Sequence, residues 1–220
     1  MKDRQRTPTK VEGHFLLRVV TYIIGLFLCA VSASLAVMAG IGNTPANSVG
    51  VVSSYLSGLE MGDCLIIFYG ILLLGQMLLL GKAFKLINLA QMPFAIIYGK
   101  FVNLVAWCIP DYTPTSYLQS LVILAVSVVV LAVGVAFFVG VSLVPMPLEG
   151  LVLVIAAKTG IPFHICRIIN DCALVVLVLA GSWLVCGEIL AVREGTLVLA
   201  VGTGWVIGLI KPYLPSWIQG

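Results

Sequence analysis

Apolar residues in this chain do not alternate with polar ones at the period of a strand. They run on, with few breaks, at a length that only a membrane accommodates. Six runs are long enough to span a bilayer, near 18–40, 63–81, 86–107, 118–140, 166–186 and 195–211. Helices are the expectation for all six, because a backbone in lipid must satisfy its own hydrogen bonds. After the first and fourth runs the pattern changes. NTPANSVGVVSSYLSG and PMPLEGLVLVIAAKTG each show a polar or charged head, a Pro, apolar residues at helical spacing and a closing Gly. Val49, Val52, Leu56 and Leu59 set the spacing in the first, and Leu148, Leu151, Val152 and Ile155 in the second. Pro45 and Pro147 suit a first helical turn, where a missing N–H goes unnoticed. Gly58 and Gly160 suit the exit. Helices of about 12–14 residues at ~1.5 Å each reach roughly 20 Å, too short to cross ~30 Å of hydrocarbon.

Such helices can lie flat at opposite surfaces, or dip inward as half-helices from opposite faces. The polar heads, Asn43, Thr44, Asn47 and Ser48 in the first and Glu149 in the second, favour the dipping arrangement, since irregular backbone at depth needs protein or water beside it. With Pro45 laid on Pro147, Gly58 falls on Gly160, Cys64 on Cys166, Asn47 on Glu149 and Ala30 on Ala132, without a gap from 26–75 against 128–177. Each half then contains three spans, an odd number, so the second half enters the membrane inverted relative to the first. The predicted fold is all-α and integral to the membrane: six transmembrane helices in a 3+3 inverted-topology repeat, with a short Pro-led half-helix after the first and fourth spans. Its divisions are a basic N-terminus at 1–17, a first repeat at 18–110 and a second at 111–220.

Composition sharpens the class. The chain has 220 residues, 61% of them hydrophobic and 10% charged, with a mean hydropathy of +1.15. Ordinary soluble domains carry about 25% charged residues. Lys2, Arg4, Arg6, Lys10 and Arg18 precede or open the first run, an arrangement that holds an N-terminus in the cytoplasm more often than it binds nucleic acid. A basic start, an apolar run and AVSASLA also suggest a cleaved signal peptide. Against cleavage, the apolar character continues to Gly40 and the repeat needs this segment. With the N-terminus inside, ten of the twelve Lys and Arg fall inside, Arg193 falls outside and Lys100 lies within a span. Glu60, Asp63, Asp111, Glu188 and Glu194 fall outside. This asymmetry places both termini in the cytoplasm. The six cysteines, Cys29, Cys64, Cys108, Cys166, Cys172 and Cys186, form no CxxC pair and read as packing residues.

A basic N-terminus, a first span ending in AGIGNTPANSV and the later PLEGLVLVIAAKTGIPFHICRIINDCALV and VGTGWVIGLIKP resemble the YczE/YitT-like family of bacterial membrane proteins. The resemblance extends over nearly the whole chain, although SLVPMP in the second half lacks the glycines of GIGNTP. It implies a small multi-pass protein of the bacterial cytoplasmic membrane. It supplies no biochemical activity.

Ionisable groups within spans are costly and point to function. Arg167 and Asp171 stand four apart in the fifth span beside Asn170. The plainer reading is an intrahelical ion pair. The functional one is a carboxylate clamp with a proton- or cation-sensitive acid beside it. Lys100, mid-way through the third span, calls for a partner such as Asp171 or Glu149. Glu149 is either a helix N-terminal acid or a protonation site. Gln76, Asn88, Gln91 and Asn103 line a cavity or bond between helices, and Gly202, Thr203 and Gly204 are read as a packing surface. His14 and His164 are far apart in sequence, and no metal spacing appears. Nucleophile elbow, HExxH, P-loop and dinucleotide motifs are absent from the sequence, so no catalytic residue, cofactor or metal is expected, and no nucleic-acid partner.

The expectation is a transporter or channel for a small anionic or zwitterionic solute, with the lipid bilayer as its other partner. Its pathway residues would be Asn43, Thr44, Asn47, Ser48, Lys100, Asn103, Glu149, Arg167, Asn170 and Asp171. Half-helix N-termini, worth roughly +0.5 charge each, favour such a solute. Six spans are few for a gated pathway, which makes a homodimer a candidate assembly. The alternative is a capture or assembly subunit of a larger complex, with small-residue rows such as 30–34 meeting a partner.

Overall fold

A computed structural model describes residues 15–109, 112–141, 143–187 and 191–210. The expectations resting on Lys2, Arg4, Arg6, Lys10, His14, Asp111, Glu188 and Lys211 lie outside the described residues, as does the side chain of Cys186. Among the described residues eight α-helices follow in order: α1 Phe15–Ala39, α2 Pro45–Ser57, α3 Met61–Leu80, α4 Gln91–Cys108, α5 Tyr117–Gly140, α6 Pro147–Thr159, α7 Phe163–Cys186 and α8 Glu194–Ile210. Two short 3₁₀ turns, Gly81–Ala83 and Leu86–Ala90, join α3 to α4. There is no strand among the described residues. Five helical stretches are apolar and long enough to cross a membrane, in α1, α3, α4 (with the turn before it), α5 and α7. The 17-residue α8 is apolar but shorter.

The two short helices begin and end where Pro and Gly say they should. Each has 13 residues with Pro in its first turn. Each stops at a glycine in the left-handed region, Gly58 at φ 72° and Gly160 at φ 72°, a conformation costly for any residue with a Cβ. Their starts differ. Thr44 caps α2 by accepting from the Asn47 N–H at 3.4 Å, whereas Met146 before α6 provides no side-chain cap.

One spacing recurs along the chain. Pro45 and Pro147, Ser57 and Thr159, and Met61 and Phe163 are boundary residues 102 positions apart. The packing recurs with it. α1 packs on α4 and α5 on α8; α2 packs on α7 and α6 on α3; α2 touches α3 and α6 touches α7.

The most extensive pairing joins α1 to α5, which run antiparallel: Gly25 faces Gly134 and Ser32 faces Ser127. A Cβ at Gly25 would lie 2.8 Å from the Gly134 carbonyl oxygen, so only glycine allows this approach. Each serine hydroxyl is a donor 2.9 Å from the other's carbonyl oxygen, and both side chains are buried. Where water is absent, small residues and interhelical hydrogen bonds are what bind helices together. Ala30, Ser32, Ala33 and Ser34 are all buried here. The row 30–34 is therefore spent inside the chain and is not a surface for a partner, contrary to the expectation above.

Candidate functional site

The site starts at the head of α6. Pro147 opens that helix, and its carbonyl oxygen accepts from Gln76 Nε2 at 2.9 Å. Gln76 and Gln91 also bond to each other in both directions, at 2.9 and 3.2 Å, and both side chains are buried. Gly150 lies against this pair, since a Cβ there would be 2.8 Å from both glutamine oxygens. The glutamines of α3 and α4 thus hold the α6 head, one of the two roles the sequence left open for them.

The clamp turns Glu149 toward α7. Arg167 Nη1 donates to Glu149 Oε1 at 2.8 Å, and Arg167 Nε donates to Asp171 Oδ2 at 3.0 Å. One guanidinium therefore bridges an acid on the head of α6 and an acid one turn along α7. The plain helical pair and the acid at a helix start are both present, but as parts of one triad. The three side chains keep between a quarter and a third of their surface accessible. The second oxygens, Glu149 Oε2 and Asp171 Oδ1, are buried without a hydrogen-bond partner, as is Asn170 Nδ2. Tyr22, Cys29, Tyr69 and Tyr98 lie within electrostatic reach of Glu149.

The head of α2 comes to the same region from the other side. Tyr98 Oη donates to Asn47 Oδ1 at 3.0 Å, and Tyr98 packs on Tyr69 with ring centroids 6.1 Å apart. Tyr98 stands ten residues before the end of α4, about 15 Å along a helix. The other polar residues of this head are structural ties. Asn43 Oδ1 accepts from the Thr44 N–H at 2.8 Å, and its Nδ2 reaches the Ala33 carbonyl at 3.4 Å. Ser48 Oγ donates to the Ala191 carbonyl at 3.0 Å.

Lys100 and Asn103 form a separate cluster. Lys100 Nζ meets Asp63 Oδ1 at 2.6 Å. Asn103 donates to the same oxygen at 3.2 Å and accepts from the Gly62 N–H at 2.6 Å. The partner of Lys100 is therefore neither Asp171 nor Glu149. Asp63 opens α3, while the Gln76 that touches the α6 head is thirteen residues further on, roughly 20 Å. The lysine's length let it reach an acid at the helix start that position alone did not single out.

Residues 16–212 match the family DUF6198, described as a family of unknown function. The chain belongs to that family. Neither a curated protein nor a solved structure matches it.

This DUF6198 chain also has a cavity of about 820 Å³ at the end of the bundle where α1 stops. Its wall includes Ser34, Met38, Ile41, Met61, Ile109, Tyr112 and Arg193. Arg193 donates to the Gly40 carbonyl at 3.3 Å and pairs with Glu194 at 3.2 Å. None of the expected pathway residues lines this cavity. Among the described residues no group of three or more His, Cys, Asp or Glu is placed to hold a metal. Gly202 packs on Val128 as a small-residue contact should, whereas Gly204 faces open space. The sequence reading missed Tyr98, Tyr69 and Asp63. An acid one residue after Gly62 in an otherwise apolar helix was the available signal for Asp63. Nothing in the pattern marks the tyrosines, because a tyrosine in a span is more often a packing residue.

Proposed function

We propose that this protein is a membrane transporter or channel for a small polar solute, with its pathway between two inverted three-span units. The observation that carries the proposal is the Glu149–Arg167–Asp171 triad. Three ionised groups inside an apolar bundle are expensive and are kept at pathways and relays. This triad stands on the head of a short helix, within electrostatic reach of Tyr98, which donates to Asn47 in the head of the other.

The inverted arrangement is supported by the 102-residue spacing and by the reciprocal packing. The α1–α5 contact is consistent with it as well. Shifting by 102 residues exchanges Gly25 with Ser127 and Ser32 with Gly134, so the two close contacts of this antiparallel pair map onto each other. A two-fold axis in the membrane plane, passing between the two helices at mid-height, does the same. The short helices would then dip inward, their amide ends toward the centre.

The solute is better matched to a zwitterion than to a simple anion at this point. Arg167 is already met by two carboxylates, so its fork is not free to clamp a third. The distribution of cations along the chain argues for both termini on the cytoplasmic side, and the resemblance to the YczE/YitT-like family implies a bacterial cytoplasmic membrane.

A capture or assembly subunit is the second reading, and one feature favours it. Buried residues make up 17% of the apolar stretch of α7, against 50% in α1, and the triad is partly open. A partner protein, or a second copy, would seal that flank.

Purified protein in liposomes separates the two. Uptake of a labelled zwitterionic or anionic solute by the chain alone, lost in Arg167→Ala, supports transport. Saturable binding without uptake supports the subunit reading. Uptake that Arg167→Ala leaves unchanged removes the triad from the pathway.

A further inference from the structure

We infer that the Glu149–Arg167–Asp171 triad is a proton-binding site, holding one exchangeable proton on a carboxylate oxygen that has no other partner. Two carboxylates against one guanidinium leave one negative charge in excess. Tyr22, Cys29, Tyr69 and Tyr98 lie within electrostatic reach of Glu149 and bring no cation, and Lys158 stands nine residues along α6 from Glu149, about 13 Å. α1 brings Tyr22 and Cys29, α3 brings Tyr69 and Gln76, and α4 brings Tyr98 and Gln91. α2, which packs on α7, carries no charged residue at 45–57. α7 adds His164, Cys166 and Cys172 on its own length. Lys100 on α4 is engaged by Asp63.

Hydrogen bonding leads to the same place. Glu149 Oε1 and Asp171 Oδ2 are occupied by the arginine, while Glu149 Oε2 and Asp171 Oδ1 are buried and free. A buried carboxylate oxygen without a donor is costly. A proton on either oxygen turns an acceptor into a donor and brings the triad to formal neutrality, and the arginine keeps both of its bonds. The site fits a proton better than a metal cation. Sodium-like and calcium-like ions need a shell of several oxygens, and two free carboxylate oxygens do not make one.

The sequence of states is short. The charged triad takes up a proton from the side to which it is open, becomes neutral, and releases it when the excess charge is again solvated. In the transport reading this couples solute movement to a proton. The site itself does not require that reading.

Infrared difference spectroscopy on the wild-type protein in nanodiscs, between mildly acidic and mildly alkaline buffer, tests the inference directly. A protonated-carboxyl band that appears on acidification, shifts when glutamate or aspartate carries a ¹³C-labelled carboxyl group, and is lost in Glu149→Gln or Asp171→Asn is the expected result. The isotope shift, read on the unmodified chain, shows that the band is a carboxyl group, and its loss in either variant assigns it to the triad. Absence of any such band, or a band that neither variant removes, overturns the proposal. The outcomes are separable from transport. A band without solute uptake leaves the proton site standing and removes the transporter, and uptake without a band does the opposite.

Discussion

The two halves of the chain follow one plan but close differently. In α1–α4, α3 lies tightly along α4, with Gly62 against Gly99 and with Asp63, Lys100 and Asn103 pinning the contact. In α5–α8, α7 and α8 make no comparable contact among the described residues. The residues 102 positions later explain why. His164 replaces Gly62, Val201 replaces Gly99, and Ile165, Gly202 and Trp205 stand where Asp63, Lys100 and Asn103 stood. Bulk has replaced a glycine seam, and the polar pins are gone. The charges are distributed the other way. Glu149, Arg167 and Asp171 correspond to Asn47, Leu65 and Tyr69 in the first half. The loosely packed half carries the ionised groups and the tightly packed half is neutral at the same places. Elements that move are drawn from the less stable parts of a fold, so the contrast assigns holding to one half and working to the other.

The sharpest way to break this contrast is to remove its charge. Arg167→Leu strips the bridge from two carboxylates that cannot reach bulk water freely. Breaking a buried ion pair costs about 3–5 kcal/mol, and with a third of the arginine side chain accessible the expected loss is nearer the lower figure. At ~2–4 °C per kcal/mol for a chain of this size, thermal melting in detergent should show a drop of about 6–12 °C. An unchanged melting temperature would mean that the triad does not join α6 to α7.

Packing gives the next effect. Gly99→Leu drives a side chain into the Gly62 carbonyl and Ile66, and overpacking of this kind costs about 1–3 kcal/mol. The matched change in the second half, Val201→Leu, alters an exposed position and should leave melting unchanged. Equal sensitivity at the two sites would erase the difference in closure.

The two short helices sharpen the comparison locally. Gln76→Leu removes one bond to the Pro147 carbonyl and leaves the Gln91 side chain without its partner, at about 1–2 kcal/mol. Tyr98→Phe removes a single bond to Asn47, at about 1 kcal/mol. Hydrogen exchange should rise around 147–150 in the first variant and around 45–48 in the second. A rise at both heads in either variant would show that the heads are coupled, not separately held.

How much of this was readable beforehand follows the range of the forces involved. The starts and ends of α2 and α6 were legible to the residue, because Pro45, Gly58, Pro147 and Gly160 act through local backbone geometry. The spans were legible within about three residues, because length and hydropathy fix them. The pairing of Arg167 with Asp171 was visible as a one-turn spacing. The third member was not: Glu149 lies 18 residues away on a separate helix whose head the Gln76–Gln91 pair holds. Asn43, Thr44 and Ser48 looked like pathway residues because they are polar in an apolar chain. Their hydrogen bonds to Ala33, Asn47 and Ala191 are with backbone, and sequence does not show which carbonyls a fold leaves open.

Lys100 offers the smallest effect and a pointed one. By position it ranked with Arg167, since both are cations within spans. By environment they differ: 60% of the Lys100 side chain is accessible and its partner Asp63 is 36% accessible, whereas Arg167 is 33% accessible between two acids. Exposed pairs contribute little, because solvent or headgroups already stabilise both members and two long side chains must be held in place. Lys100→Met should leave the melting temperature unchanged, and Asn103 still holds the Gly62 N–H and Asp63 without it. Solute uptake should be unchanged as well, while Arg167→Ala abolishes it. Uptake lost in Lys100→Met with melting intact would put a working charge in the closed half, and the division of labour between the halves would fail.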